Sequence, residues 1–278
     1  MEKLHIEKNT VQETLVIPLY GRKLCSERFP QLFQDPEAAR LCDMLDYNFE
    51  ENGKKMESVA GLFGALEVAQ RQYDLAFEVK EYLKSHPRAA VVNLGCGLDD
   101  TFRRVQRGSC LGYNIDLPDV IELRNRLLGE GERERNLAFD LTDDRWMQEI
   151  DASDGAVFIA AGVFYYLRTG ALKTLMGKMA KRFPGGVLAF DTCNRRGATM
   201  MRKTWLRGAG IQDVDAFFSL EDPMELEAWS PDFASVTSKS YMRGYRDILP
   251  DVRPLYRLMI RFCDGFVRMR IVRIAFRG

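Results

Sequence analysis

The residues whose types and spacing most invite chemistry are Gly95-Cys96-Gly97, then Asp99 and Asp100, then Asp116. Two glycines around one residue let the backbone turn sharply and come close to a ligand. An acid about 20 residues further on, at the end of the next strand, can accept hydrogen bonds from ribose hydroxyls. The elements needed to position these groups surround them. Val91, Val92 and Leu94 read as a buried parallel strand, and Leu111 to Ile115 as a second, with Asp116 at its end. Asp99 and Asp100 can cap the helix between them. The stretch Ala89 to Asp116 is therefore the first βαβ unit of a nucleoside-cofactor fold.

The same residues discriminate among cofactors. A dinucleotide fingerprint wants a third glycine, and Asp100 occupies that position. Asp99 and Asp100 would repel a pyrophosphate resting on the helix N-terminus. No Gly-Lys-Ser/Thr follows, so a P-loop is excluded. A cofactor with one nucleoside, no phosphate and a positive centre suits the loop better, and S-adenosylmethionine has that chemistry. A nicotinamide dinucleotide is the fold-level alternative that Asp100 disfavours.

Composition narrows the classes. The chain has 278 residues, enough for one large α/β domain with insertions or two small domains, and 46% of them are hydrophobic. Forty basic residues balance forty acidic ones, which argues against a nucleic-acid footprint. No apolar run approaches a membrane span, and the N-terminus lacks the apolar core of a signal peptide. Six scattered cysteines, Cys25, Cys42, Cys96, Cys110, Cys193 and Cys263, contain no C-x-x-C pair, consistent with reduced thiols and a cytoplasmic location. Two histidines, His5 and His86, are too few for a zinc site or a nucleophilic triad. His86 precedes the first strand, at the wrong end of a parallel sheet for chemistry.

Along the chain, residues 1–88 are mostly helical in pattern. They include an apolar stretch, Thr14 to Tyr20, broken by Pro18; a helix beginning at Pro36; and a longer one over Ala65 to Leu83. Pro118 starts a helix that runs through Leu128 and carries Arg124 and Arg126. Gly129 to Arg135 reads as a solvated charged loop and Asn136 to Phe139 as a third strand, ending at Asp140-Leu141. Ala156 to Ala161 is the fourth strand, Thr169 to Arg182 an amphipathic helix, and Val187 to Asp191 the fifth strand. Strands alternating with helices imply a parallel sheet, with the ligand across the carboxyl ends of its strands. Asn194 to Arg207 is basic and helical; Arg195, Arg196, Arg202, Lys203 and Arg207 read as an exposed face or as a site for an acidic acceptor or acyl-carrier partner. Met224 to Trp229 reads as a helix, with Trp229 either in the core or facing an acceptor. Ser235 to Tyr241 suggests a strand, Leu255 to Phe262 a helix, and Phe266 to Phe276 a final strand. Strand–helix–strand at the end fits an antiparallel hairpin. Residues 1–88 would form a helical cap and 89–278 the Rossmann-like domain, with an insertion around 195–233.

VVNLGCGLDDTFRRV (residues 91–105) followed by YNIDLPDVIELRNRLL (residues 113–128) resembles the leucine carboxyl methyltransferase family, within it the bacterial branch of tetracenomycin-type polyketide O-methyltransferases. ETLVIPLYGRKL, MLDYNF, RQYD, FIAAGVFYYL and RFPGGVLAFDT extend the likeness over most of Glu13 to Thr192. The resemblance implies a class I methyltransferase fold, α/β and Rossmann-like, with a mainly parallel seven-stranded sheet, an antiparallel last strand and a helical cap. It implies S-adenosyl-L-methionine as cofactor. Cofactor-binding residues would be Arg71, Gly95, Cys96, Gly97, Asp99, Asp116, Leu117, Asp140, Leu141 and Ala161. Arg71 would meet the carboxylate of the methionine tail, which an arginine fork suits. Asp140 and Leu141 would meet adenine, although Asp140 can also cap a helix. Two departures from the family pattern stand out. Ala161 replaces a glutamate, leaving open an inactive protein or a substitute acid, with Asp99 or Asp100 as candidates. Asp100-Thr101 replaces threonine-arginine.

Methyl transfer from a sulfonium is an in-line displacement that needs proximity and alignment. A carboxylate acceptor needs no base; a phenol does. The lack of an obvious base tilts the expectation towards a carboxylate or acidic hydroxyl. Tyr165 and Tyr166, at the exit of the fourth strand, are the candidate catalytic residues: either ring could face the sulfonium, or both pack the next helix. The expected function is transfer of a methyl group to a small molecule, without nucleic-acid or membrane partners and without a metal. Alternatives are a protein C-terminal carboxyl methyltransferase and a non-catalytic cofactor-binding protein.

Overall fold

In the computed structural model, which describes residues 3–6, 11–49, 56–201 and 218–278, seven strands form one sheet. In chain order the elements are β1 (Leu4–His5), α1 (Val11–Arg28), α2 (Pro36–Met44), β2 (Leu45–Asp46), α3 (Val59–Ser85), β3 (Ala90–Leu94), α4 (Thr101–Val105), β4 (Leu111–Asp116), α5 (Pro118–Leu127), β5 (Glu134–Ala138), β6 (Ala156–Ala160), α6 (Thr169–Arg182), β7 (Val187–Thr192), α7 (Arg195–Met201), β8 (Phe233–Ser240), α8 (Pro254–Phe262) and β9 (Arg270–Phe276). The spatial order of the large sheet is β5-β4-β3-β6-β7-β9-β8. Its first five strands pair in parallel, and β9 runs antiparallel to both β7 and β8. The α/β class, the parallel sheet and the antiparallel last strand are as the sequence implies. A small parallel pairing of β1 with β2 stands apart.

The central strands are apolar on both faces because helices cover both. Every residue of β3 and of β6 is buried. On one face Val91, Val157, Ile159 and Ala189 pack with α3 and α8; on the other Val92, Phe158, Leu188 and Phe190 pack with Trp146 and α6. β3 ends in a turn because Gly95 and Gly97 take φ of 63° and 49°. A side chain at Gly95 would also overlap Val163, so only glycine fits.

Four expectations shift. α1 runs through Pro18 rather than breaking there. The third strand begins two residues early, at Glu134, because Glu134 is not solvated: it is 3% exposed, held by Arg103 at 2.7 Å and Arg124 at 3.2 Å. The last strand begins at Arg270, because residues 263–267 form a π-helical turn and Arg268 turns left-handed at φ 51°. Pro223–Trp229 is a 3-10 turn, and Trp229 packs edge-on against Phe218 in the second core, away from the cavity described below. Arg202, Lys203 and Arg207 lie outside the described residues, as does part of the expected basic helix; Arg195 and Arg196 are exposed. All six cysteines are free and buried.

Candidate active site

A cavity of about 470 Å³ opens where β3, β4, β6 and β7 end. The Gly95–Gly97 turn forms its floor, together with Asp116 and Leu117 after β4, Phe139 to Leu141 after β5, and Ala161 to Val163 after β6. α3 contributes Gly64, Glu67, Val68, Arg71 and Gln72, and α1 contributes Leu15, Ile17 and Pro18 among others. The ten candidate cofactor-binding residues and the two candidate catalytic tyrosines all line this one cavity.

Asp116 is anchored before any ligand arrives. Its Oδ2 accepts from Gly97 N at 2.7 Å and its Oδ1 from Leu117 N at 2.8 Å. Burial pushes its carboxyl up, while those two N–H groups pull it back. The turn above it is held from behind by Arg124, which is fully buried. Arg124 donates to Gly97 O at 2.9 Å, Asp99 O at 2.7 Å, Asn136 Oδ1 at 3.0 Å and Glu134 Oε1 at 3.2 Å. In DLPDVIELR the acid that meets the turn thus closes β4, and the arginine that props it follows on α5. Sequence reading placed Arg124 on a helix and missed this role.

Asp140 is exposed, and its Oδ1 accepts from Thr142 N and Thr142 Oγ1, both at 2.7 Å. This turn-forming role coexists with a place on the cavity rim, and Leu141 lies buried beside it.

Asp99 and Asp100 serve a different end. Asp99 accepts from Arg22 at 3.1 Å, Gln72 at 2.5 Å, Thr101 Oγ1 at 2.9 Å and Asn93 at 3.1 Å. Burial works against its charge, but Arg22 and Arg104 outweigh that and hold the carboxyl below its ordinary range. Asp100 pairs with Arg104 at 2.5 Å and does not line the cavity. Both acids are engaged in tying α1, α3 and α4 to the turn, so the notion that they replace the acid missing at Ala161 loses its basis.

Asp191, which sequence reading took only as the end of a strand, lies beside that position. It is 3% exposed at the end of β7, accepts from Gly162 N at 2.6 Å, and pairs with Arg71 Nη1 at 3.2 Å. Gly162 has φ 72°, and a Cβ there would strike the Arg71 guanidinium. Glycine, arginine and aspartate thus form one packed unit from three distant segments. Asp74, the other end of the RQYD motif, does not line the cavity. It is fully buried, accepts from Gln70 at 2.8 Å, and burial pushes its carboxyl up to about 8.

Tyr165 and Tyr166 both line the cavity, and burial raises both phenols, so they are neutral near pH 7 and offer a ring and an O–H donor rather than a base. Cys193, pushed up to about 12 chiefly by burial, is a protonated thiol. His5 and His86 do not line the cavity, and among the described residues no acidic, His and Cys cluster has metal-site geometry. No described helix is long and apolar enough to cross a membrane.

A sequence model of leucine carboxyl methyltransferases matches residues 17–180, more than half the chain. The chain belongs to the leucine carboxyl methyltransferase family. The chain is also similar to the tetracenomycin polyketide synthesis O-methyltransferase TcmP of Streptomyces glaucescens, 29% identical over 182 residues. That match spans 65% of this chain and 65% of TcmP, a little under two thirds of each. Among solved structures, a DUF574 family protein from Streptomyces avermitilis superposes with a TM-score of 0.61 at 12% identity, covering 95% of this chain and 97% of that one. A putative methyltransferase from Thermobifida fusca gives 0.57 at 15% identity, covering 77% and 83%. At such identities these structures speak for the fold.

Proposed function

We propose that the chain is an S-adenosylmethionine-dependent O-methyltransferase that acts on a small molecule. The observation that carries this reading is the single cavity at the strand ends, in which the glycine turn, Asp116, Asp140-Leu141 and the Arg71–Asp191 pair are all present. These residues fit the cofactor's chemistry. Asp116 has acceptor capacity for ribose hydroxyls beyond its two backbone bonds. Leu117, Phe139 and Leu141 give an adenine ring an apolar slot, with Asp140 at its rim. Arg71 suits the tail carboxylate, and Asp191 the tail ammonium, supplying the acid that Ala161 lacks. Gly95 and Gly97 leave room for close backbone approach. Among the solved neighbours, a plantazolicin methyltransferase with a TM-score of 0.52 is a complex with S-adenosylhomocysteine, in keeping with this assignment.

When bound, the cofactor supplies an electrophilic methyl group on a sulfonium. The chain's own work is positional. Arg124 fixes the turn, Asp116 and Arg71 fix the two ends of the ligand, and α1 and α3 wall the site against water. Tyr165 and Tyr166 present neutral rings and hydroxyls to the reacting region. We read the helical segment before β3 as a cap, since α1 and α3 supply one whole wall of the cavity.

Calorimetry with S-adenosylhomocysteine, with NAD as control, tests the reading. Binding of the former with micromolar affinity and no NAD binding is expected. NAD binding, or binding of neither, would refute it.

A further inference from the structure

The charged residues lining the cavity are unevenly distributed. Among the described residues, its cations are Arg22 and Arg71, and its carboxylates are Glu67, Asp99, Asp116, Asp140 and Asp191. Both cations are already paired, Arg22 with Asp99 at 3.1 Å and Arg71 with Asp191 at 3.2 Å. Four of the carboxylates have assigned partners or roles in the arrangement above. Glu67 does not.

Glu67 sits one helical turn before Arg71 on α3, so both project from the same face into the cavity. Its Oε1 accepts from Cys263 Sγ at 3.5 Å. The cavity that Glu67 lines also takes in Gly64, Val68, Met200, Met201, Val267 and Met269, together with Tyr165 and Tyr241. This part of the lining is largely apolar. An ionisable group facing such a region is either a stray burden or a working acid–base group.

We propose that Glu67 is the general base of this site and that the acceptor is a neutral hydroxyl on an apolar, aromatic-sized body rather than a carboxylate. This rests on the methyltransferase reading above. A carboxylate acceptor would meet Glu67 and Asp191 with no unpaired cation among the described lining residues. A hydroxyl meets an acceptor oxygen suited to its proton. In the step, the acceptor O–H bond breaks and its proton goes to a Glu67 carboxylate oxygen. The electron pair left on the acceptor oxygen forms the new C–O bond. The methyl's bond to sulfur breaks, and its pair stays on sulfur. The proton then leaves Glu67 for solvent. Methionine-rich linings adapt to varied apolar shapes, which suits such a body.

The protonation behaviour agrees with this geometry. Burial pushes the Glu67 carboxyl up to about 7, against the hydrogen bond from Cys263 and the charge of Arg71. The other titratable groups facing it are Cys193, Cys263 and Tyr241, whose own values burial raises, so they stay neutral near pH 7. Glu67 therefore changes charge where a base is most effective.

The test uses the full chain and its Glu67→Gln variant. S-Adenosylhomocysteine is titrated first; if the wild type does not bind it, the methyltransferase reading itself fails. On the loaded protein, 2-naphthol and 2-naphthoate are then titrated as matched hydroxyl and carboxylate probes. The wild type is expected to prefer naphthol, and Glu67→Gln to gain naphthoate affinity by about tenfold by losing the like charge. In carbon-13 glutamate-labelled protein, one carboxyl should titrate near pH 7 and vanish in Glu67→Gln. Methyl transfer to naphthol should fall about a hundredfold in the variant, the low end for general-base catalysis. Preference for naphthoate, binding of neither probe, or absence of a glutamate titrating near 7 overturns the proposal while leaving cofactor binding intact.

Discussion

Arg124→Met removes the prop beneath the glycine turn. The side chain is fully buried and makes four hydrogen bonds, two of them to the carbonyls of Gly97 and Asp99. Methionine fills much of the volume, so the cost is mainly in polar groups. Glu134 is not stranded: Arg103 remains at 2.7 Å and Asn114 at 2.8 Å. The two buried carbonyls lose their charged donor, at about 1–3 kcal/mol each. Breaking a buried ion pair outright costs about 3–5 kcal/mol; with Glu134 still paired, we expect the low end, about 3 kcal/mol. At about 2–4 °C per kcal/mol for a chain of this size, melting should fall by roughly 6–12 °C. S-Adenosylhomocysteine affinity should also fall, by about tenfold, because Gly97 N is fixed on Asp116 only while the turn holds. Arg126→Met, on the exposed side of the same helix, controls for lost charge and should change melting little. The assay is thermal melting by circular dichroism, followed by calorimetry. Melting of Arg124→Met within 2 °C of wild type would refute the propping argument.

Other consequences can be checked in the same way. Asp191→Asn should weaken S-adenosylhomocysteine binding about tenfold by calorimetry, since it removes a charge that holds Arg71 and would face the ligand's ammonium; unchanged affinity would return the missing acid to an unsolved question. Gly162→Ala should destabilise the protein by at least about 1 kcal/mol in urea unfolding, because φ 72° and the Arg71 guanidinium both exclude a methyl group; a neutral result would contradict the packed unit. Asp74 has a folded-state value of about 8 against an unfolded value of about 3.9, so folding takes up a proton between them. Its contribution is full below pH 4 and is lost as pH rises through about 8. Asp74→Asn should flatten the fall in stability over that range, and urea midpoints from pH 5 to 9 would check it; parallel curves for the two proteins would be the contrary result.

Much of the fold could be read because its signals are local. β3, the glycine turn and β4 lie within one continuous stretch, and glycine at positive φ leaves a mark in sequence. The α6 boundaries followed from an amphipathic run ending at a proline-glycine turn. What escaped was non-local. Asp191 meets Arg71 across 120 positions, brought together only by the order of β6 and β7 beside α3. In sequence it looks like any aspartate closing a strand. Glu67 was not singled out for the same reason: its partner Cys263 lies far along the chain. Glu134 was misread because its neighbours in sequence are charged and exposed, while its partners, Arg103 and Arg124, arrive from two helices. Trp229 shows the opposite limit: an aromatic residue alone does not say which core it enters. The beginning of β9 was overextended because Val267 and Met269 alternate like a strand, whereas Arg268 turns left-handed between them.

The most direct test of the central claim is a crystal structure of the chain with S-adenosylhomocysteine. We predict ribose hydroxyls on Asp116, adenine between Leu117 and Leu141, and the amino-acid tail at Arg71 and Asp191. Density for the ligand outside this cavity, or with its tail directed away from Arg71, would contradict the account.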